Sequence, residues 1–320
     1  MEYDFDENKV KTKKFWGQYN FTADFGILIG QDDPLFKQEI SRQVAYDNLN
    51  LNGFGTSSSD SLPMIALHYK GFSFALAKPV FDDDGWAAAH TRAVNNGYVS
   101  STMTTRIIYD NDTFLPQLQA NYAYEADSWR FKVAGAYAHT RIKEFREPAT
   151  TFYYKDRMTI ESWLVGADGQ IYFGPLSLGA AVSYGANWEL AGWNESAYGW
   201  GYPAFREKRH AGGFAGDFRD TYSLMLAFVA GYQLTERLYF EGGVGYRRDD
   251  SNGFDKANTT WTAYLQADYE VTQGFHIVPE IGYIDYGKNT GVKWPSQNGR
   301  GTARDLGYEW YVGAKWQMDF

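Results

Sequence analysis

Residues Tyr308 to Phe320 read YEWYVGAKWQMDF, a two-residue period that holds to the last position. Tyr308, Trp310, Val312, Ala314, Trp316, Met318 and Phe320 fall on one side of it. Glu309, Tyr311, Gly313, Lys315, Gln317 and Asp319 fall on the other. Successive side chains of a strand point to opposite faces. The stretch therefore predicts a strand with one apolar face and one face carrying both signs of charge.

The same rule recurs along the chain. TTWTAYLQADYEV sets Trp261, Ala263, Leu265, Ala267, Tyr269 and Val271 against Thr262, Tyr264, Gln266, Asp268 and Glu270. RLYFEGGVGYR sets Leu238, Phe240, Val244 and Tyr246 against Arg237, Glu241 and Arg247. TYSLMLAFVAGYQL aligns Tyr222, Leu224, Leu226, Phe228, Ala230, Tyr232 and Leu234. LSLGAAVSYGANWEL aligns Leu176, Leu178, Ala180, Val182, Tyr184 and Trp188 opposite Ser183, Asn187 and Glu189. WRFKVAGAY places Trp129, Phe131, Val133 and Tyr137 opposite Arg130 and Lys132, and YNFTADFGI places Tyr19, Phe21, Phe25 and Ile27 opposite Asn20, Thr22 and Asp24.

A soluble sandwich also alternates, but its inward face favours Val, Ile and Leu. Here aromatic residues return at the ends of the apolar faces: Trp129 and Tyr137, Tyr222 and Tyr232, Trp261 and Tyr269, Trp310 and Trp316. Rings near both ends of a roughly 25 Å apolar band are what the two membrane interfaces require. Strands in lipid must pair at every backbone N–H and C=O, so the sheet is expected to close. The expectation is an all-β, closed antiparallel transmembrane β-barrel of fourteen strands, with twelve as the alternative count.

Composition narrows the partners. With 11 Trp, 25 Tyr and 22 Phe the chain is 18% aromatic, yet no segment approaches the roughly 18 apolar residues of a spanning helix. It holds no cysteine, which excludes disulfides, thiol catalysis and cysteine-bound metals. A net charge of −9 argues against nucleic acid as a partner. MEYDFDENKVKTKK at the start has no apolar run, so the numbering is expected to begin near a mature N-terminus.

Short links at Gly174–Pro175, Thr235–Glu236, Val271–Gly274 and Glu125–Ser128 alternate with long polar ones. Outer-membrane barrels keep short turns on the periplasmic side. Residues 33–60, 82–96, 143–156, 192–217, 249–256 and 288–304 are then expected to be external loops. Gln38–Phe54 and Gly97–Asp110 are candidates for further strands, with a short helix over Pro34–Tyr46 as the alternative for the first.

A polar barrel interior is expected to be a channel. The residues expected to line it are Asp24, Arg130, Lys132, Asp168, Glu189, Glu241 and Arg247, with Tyr264, Asp268, Glu280, Glu309, Tyr311 and Lys315 further along the chain. Both charge signs occur among them, which suits neutral polyhydroxylated solutes. Trp193, Tyr198, Trp200, Tyr202 and Phe205 crowd one glycine-rich segment, where flat rings suit the apolar faces of sugars.

Catalysis has weaker support. His68, His90, His139, His210 and His276 are the histidines; His139 continues the face of Tyr137, with no serine identifiable on an adjacent outward position. The expectation is a non-enzyme without cofactor or metal, with a barrel hydrolase or an adhesin as the alternative. Asp82, Asp83 and Asp84 lack the alternating spacing of a calcium loop.

The aromatic final strand ending at Phe320 resembles the assembly signal of Gram-negative outer-membrane proteins. A cysteine-free barrel of this length with aromatic loops resembles the monomeric oligosaccharide-uptake porins, the enterobacterial cyclodextrin porin among them. The resemblance implies passive uptake of neutral oligosaccharides, cyclic ones included, by a monomer in the outer membrane. It implies outer-membrane lipid and the barrel-assembly machinery as partners. It also implies a flexible N-terminal tail over residues 1–14, ahead of a barrel at 15–320, whose Met1, Glu2, Tyr3, Asp4, Phe5 and Asp6 enter the pore.

Overall fold

The computed structural model describes residues 2–6, 9–45, 49–81, 108–111, 113, 115–147, 152–154, 158–194, 204–210, 213–251, 256–289 and 304–318. Strands follow one another in a single antiparallel ladder. Its first half is β1 (Glu2–Asp6), β2 (Lys9–Asn20), β3 (Phe25–Asp32), β4 (Leu62–Tyr69), β5 (Phe72–Ala77), β6 (Gln117–Ala126) and β7 (Trp129–Glu147). Its second half is β8 (Met158–Phe173), β9 (Leu176–Ala186), β10 (Thr221–Thr235), β11 (Leu238–Ser251), β12 (Asn258–Thr272), β13 (Phe275–Asp285) and β14 (Tyr308–Met318). Ile108–Asn111 and Phe152–Tyr154 pair with the far end of β7, and Ala204–His210 forms a separate hairpin with Gly213–Arg219. Among the described residues no pairing joins β1 to β14. The ladder's alternation makes β2 and β14 run the same way and β1 run against both.

The turns follow from local chemistry. Gly174 takes φ +55° in the two-residue link before Pro175, a left-handed conformation that suits glycine. Residues 21–24 form a tight turn in which the Phe21 N–H donates to the Phe25 carbonyl at 2.9 Å and the Phe25 N–H to Thr22 Oγ1 at 3.0 Å. YNFTADFGI is therefore two strands and a turn rather than one strand, and Asp24 sits in that turn instead of lining an interior. From β2 onward the short links lie at one end of the ladder and the long ones at the other, while the short connection from Asp6 to Lys9 lies at the long-link end.

The outward face is apolar. Val133, Val165, Leu226, Phe228, Val244, Leu265, Ile281 and Val312 are exposed along its middle. Rings flank them: Trp261 and Tyr283 lie 4.9 Å apart near the long-loop end, and Tyr124 and Trp129 lie 5.2 Å apart near the short-turn end. On β10, Tyr222 and Tyr232 bracket the band. Ten strand steps at about 3.4 Å, tilted by roughly 45°, span about 24 Å along a membrane normal, the thickness of the apolar band of an outer-membrane barrel. No helix is long and apolar enough to cross a membrane among the described residues. In β14 the alternation read from sequence holds: Tyr308, Trp310, Val312, Ala314, Trp316 and Met318 are exposed, and the residues between them less so, apart from Gly313.

The inward face is covered by the chain itself. Between β3 and β4, residues 33–45 and 49–61 fold inward and make contacts on β6 through β14. This replaces the expectation that 33–60 is an external loop. Pro34–Val44 contains no helix element, and the segment adds no strand to the wall. Of the candidate strand at Gly97–Asp110, residues 97–107 lie outside the described residues, and Ile108–Asp110 belong to the strand Ile108–Asn111 at the margin of β7. The wall accommodates the segment by being small. Ala134, Ala136 and Ala138 on β7 leave room for the buried side chains of Phe36, Trp188 and Trp193. Ala181, Ala227 and Val229 do the same for Ile40 and Leu51.

Candidate functional site

The inward segment is gripped mostly by its main chain. The Leu35 N–H donates to Gln119 Oε1 at 2.9 Å and its carbonyl accepts from Asn121 Nδ2 at 2.9 Å. Lys132 Nζ donates to the Lys37 carbonyl, Arg130 to the Glu39 carbonyl and Gln170 Nε2 to the Ile40 carbonyl. Glu241 accepts from the Arg42 N–H at 2.7 Å, and Glu280 from the N–H groups of Val44 at 2.7 Å and Ala45 at 3.0 Å. Donors thus meet carbonyls and acceptors meet N–H groups along the run, so the buried backbone is paired without helix or sheet.

Side chains of the segment complete the network. Gln38 Nε2 donates to the carbonyls of Ala167 and Val182, each at 3.1 Å, while its Oε1 accepts from the Ser57 N–H. Gln43 Nε2 donates to Tyr311 Oη at 2.8 Å, and Ser41 Oγ lies 2.7 Å from Tyr264 Oη. Tyr264 in turn donates to Glu241 at 2.6 Å. The return limb is wound on itself: Leu51 takes φ +62° and its carbonyl accepts from the N–H groups of Phe54, Gly55 and Thr56. Gly55 lies flat on the wall, since a Cβ there would stand 2.7 Å from the Leu226 carbonyl oxygen and 2.8 Å from Gly245 Cα.

A second inward element, Trp188–Ala191, packs over the first. β9 ends at Ala186 because Asn187 adopts φ +53°, so Trp188 turns inward and donates to the Trp163 carbonyl at 3.0 Å. Trp188 therefore does not continue the outward face of β9. Glu189 reaches Arg247 Nη2 at 2.7 Å, and Asp249 reaches Arg247 Nε at 2.8 Å; all three are essentially fully buried. Arg247 Nη1 also donates to the carbonyls of Asn194 and Gly53, tying both inward elements to β11.

Asp33 forms the neck of the segment. It accepts from Lys14 at 2.6 Å, Lys37 at 2.8 Å and Ser61 at 2.9 Å. Burial alone would raise its pKa, but the hydrogen bonds from Lys14, Lys37 and Ser61 outweigh it and hold the carboxyl below the ordinary carboxylate range. A carboxyl depressed in the folded state contributes stability that is fully present above its unfolded pKa, about 3.9, and is lost as pH falls through its folded value. The neck is thus expected to loosen only as pH falls below the ordinary carboxylate range. Pepsin nicking of residues 33–61, followed by mass spectrometry as pH falls, checks this. Asp33→Asn should be nicked already at the upper end of pepsin's range, and equal protection of the two proteins would refute the clasp.

Of the residues expected to line the interior, Arg130, Lys132, Asp168, Glu241, Arg247, Tyr264, Asp268, Glu280, Glu309, Tyr311 and Lys315 share the inward parity of their strands. Lys132 and Asp168 lie 3.6 Å apart, and Asp268 Oδ1 lies 2.7 Å from His276 Nδ1. Glu189 is inward too, but from the turn after β9 rather than from a strand. The aromatic loop is corrected at Trp193, which is fully buried, donates to Gln117 Oε1 at 3.0 Å and packs edge-on to Phe36 with ring centroids 5.4 Å apart. Tyr198, Trp200 and Tyr202 lie outside the described residues, as do Asp82–Asp84, and Phe205 belongs to the strand Ala204–His210. Of the residues expected as a plug, Met1 lies outside the described residues and Glu2–Asp6 pair as β1 with β2.

Trp193→Ala is expected to cost about 3–5 kcal/mol, the usual loss for a large buried aromatic. The unfolding midpoint in detergent measures it. A ring serving only as an exposed sugar platform would leave that midpoint unchanged.

No family model and no curated protein matches the sequence. Solved structures do, distantly. OmpT of Vibrio cholerae, expressed in the outer membrane, matches at 11% identity and TM-score 0.46, over 92% of this chain and 77% of its own. A Pseudomonas aeruginosa FadL homologue matches at 14% identity and TM-score 0.45, over 94% of this chain and 74% of its own. The FrpB iron transporter of Neisseria meningitidis matches at 11% and 0.41, over 93% of this chain but 48% of its own. The expectation of a non-enzyme is corrected here. Likeness of fold leaves the activity open, because one scaffold hosts unrelated activities in its loops and rim. Exclusion of an enzymatic activity is therefore withdrawn.

Proposed function

We propose that the chain is an outer-membrane channel of a Gram-negative bacterium, a closed barrel that admits neutral oligosaccharides, cyclic ones included, as a monomer. Residues 33–61 are its occluding segment, in the place first expected of the N-terminal tail. The observation that carries this reading is the division of the wall: an outward apolar band flanked by rings, and an inward polar face whose groups hold a segment of the same chain. Closure follows from the cost of open strand edges in lipid, and the directions of the strands allow it through β1, which runs antiparallel to β14. The short turns then face the periplasm and the long connections the exterior.

The solute class is supported by the chemistry of the inward face. Amides, tyrosine hydroxyls and charges of both signs offer donors and acceptors to hydroxyl groups without a strong field of either sign. Planar-bilayer recording in the presence of linear and cyclic glucose oligomers tests it. The expected result is reversible interruption of the current that grows with sugar concentration. A conducting channel indifferent to every sugar would overturn the solute assignment.

A further inference from the structure

We infer that the inward wall from β6 to β13 is a binding site for the main chain of an extended peptide, and that residues 35–45 occupy it as a built-in ligand. This goes beyond the channel reading, since it names a different ligand class and argues from which main-chain groups the wall contacts. Seven wall side chains pair with eight main-chain groups of residues 35–45. Every carbonyl partner is a donor, namely Asn121, Lys132, Arg130 or Gln170. Every N–H partner is an acceptor, namely Gln119, Glu241 or Glu280.

The contrast within the segment separates this from ordinary loop packing. Residues 49–56 pair mainly among themselves, with three N–H groups converging on the Leu51 carbonyl and Thr56 Oγ1 donating to the Asn50 carbonyl, while the Gly53 carbonyl is given to a wall side chain, Arg247. In residues 35–45 eight main-chain groups pair with the wall instead, while the N–H groups of Lys37, Gln38 and Gln43 pair within the segment. From Phe36 to Ile40 the side chains alternate: Phe36, Gln38 and Ile40 are buried, while Lys37 is partly exposed and Glu39 is exposed. Peptide groups are common to all residues, so the recognition is largely independent of sequence, with apolar side chains filling the alternate pockets. Glu241 and Glu280 contribute charge-assisted bonds, each stronger than a neutral one.

The absence of cysteine allows a single reporter on the full chain. Arg42 is exposed, so Arg42→Cys carries a fluorophore without disturbing the Arg42 N–H. Quenching by iodide is then followed as acetyl-LFKQEISRQVA-amide, or an unrelated proline-free peptide of equal length, is added. The built-in segment competes at an effective concentration on the order of millimolar, so half-saturation in that range is expected. Val44→Pro removes one N–H bond to Glu280 and should lower the half-saturating concentration about tenfold. Adding Glu280→Gln to that protein should raise it again, because the wall partner is weakened for any peptide.

Saturable quenching by both peptides, shifted in these directions, supports the site. No response in either the parent or the Val44→Pro protein overturns it. A response to the cognate peptide alone overturns the main-chain recognition, and one indifferent to Glu280→Gln places the peptide elsewhere and overturns it too. Sugar block of the current and peptide displacement are independent readouts, so either reading can fail while the other stands.

Discussion

Replacing residues 33–61 with an Asn-Gly turn is expected to raise single-channel conductance several-fold. Asp32 and Leu62 are paired in register, so their ends already stand where a two-residue hairpin closes. The wall hydrogen bonds of β3 and β4 are untouched by the exchange. Interior groups such as Glu241, Glu280 and Gln170 lose their partners but gain water, so they are solvated rather than orphaned. The variant should keep its strand content by circular dichroism. Planar-bilayer recording is the measurement, and a conductance equal to that of the parent protein would show that the segment does not obstruct the path.

Arg247→Ala is expected to be the most damaging single substitution in the interior. It leaves Glu189 and Asp249 buried without their cation, and the carbonyls of Gly53 and Asn194 lose a donor. Removing one partner from a buried ionic cluster costs about 3–5 kcal/mol, because the remaining charge cannot be solvated. Urea unfolding in detergent micelles measures the loss. The double variant Glu189→Gln with Arg247→Met should recover part of it, since one of the two stranded carboxylates is neutralised. A single variant as stable as the parent would mean that water reaches the cluster.

The wall was legible in the sequence because lipid imposes the strand period on every crossing. Trp261 to Val271 and Tyr308 to Met318 keep their faces in the structure for that reason. The interior was legible residue by residue but not as a constellation. Glu241, Glu280 and Tyr311 read as inward by parity, yet nothing in their spacing shows that Arg42, Gln43, Val44 and Ala45 are their partners. Residues 33–61 read as an external loop because they are polar and irregular, and a buried segment with its backbone paired to side chains has the same composition. The alternation of Phe36, Gln38 and Ile40 was the available signal, and it is too short to stand out. Trp188 misled because a left-handed Asn187 ends the strand and two-residue parity has no meaning beyond it, and Trp193 misled because a glycine-rich stretch crowded with rings reads as an exposed loop.

The grip on peptide groups has a consequence for how freely the inward segment can change over generations. A wall that holds carbonyls and N–H groups is indifferent to most exchanges at Lys37, Glu39 or Arg42, because their side chains contribute little to those bonds. Proline is the exception at positions 42, 44 and 45, where it would delete the hydrogen that Glu241 or Glu280 accepts. Drift should therefore be broad in the segment and narrow in the wall that holds it, so related chains could diverge in what they admit while keeping the same frame.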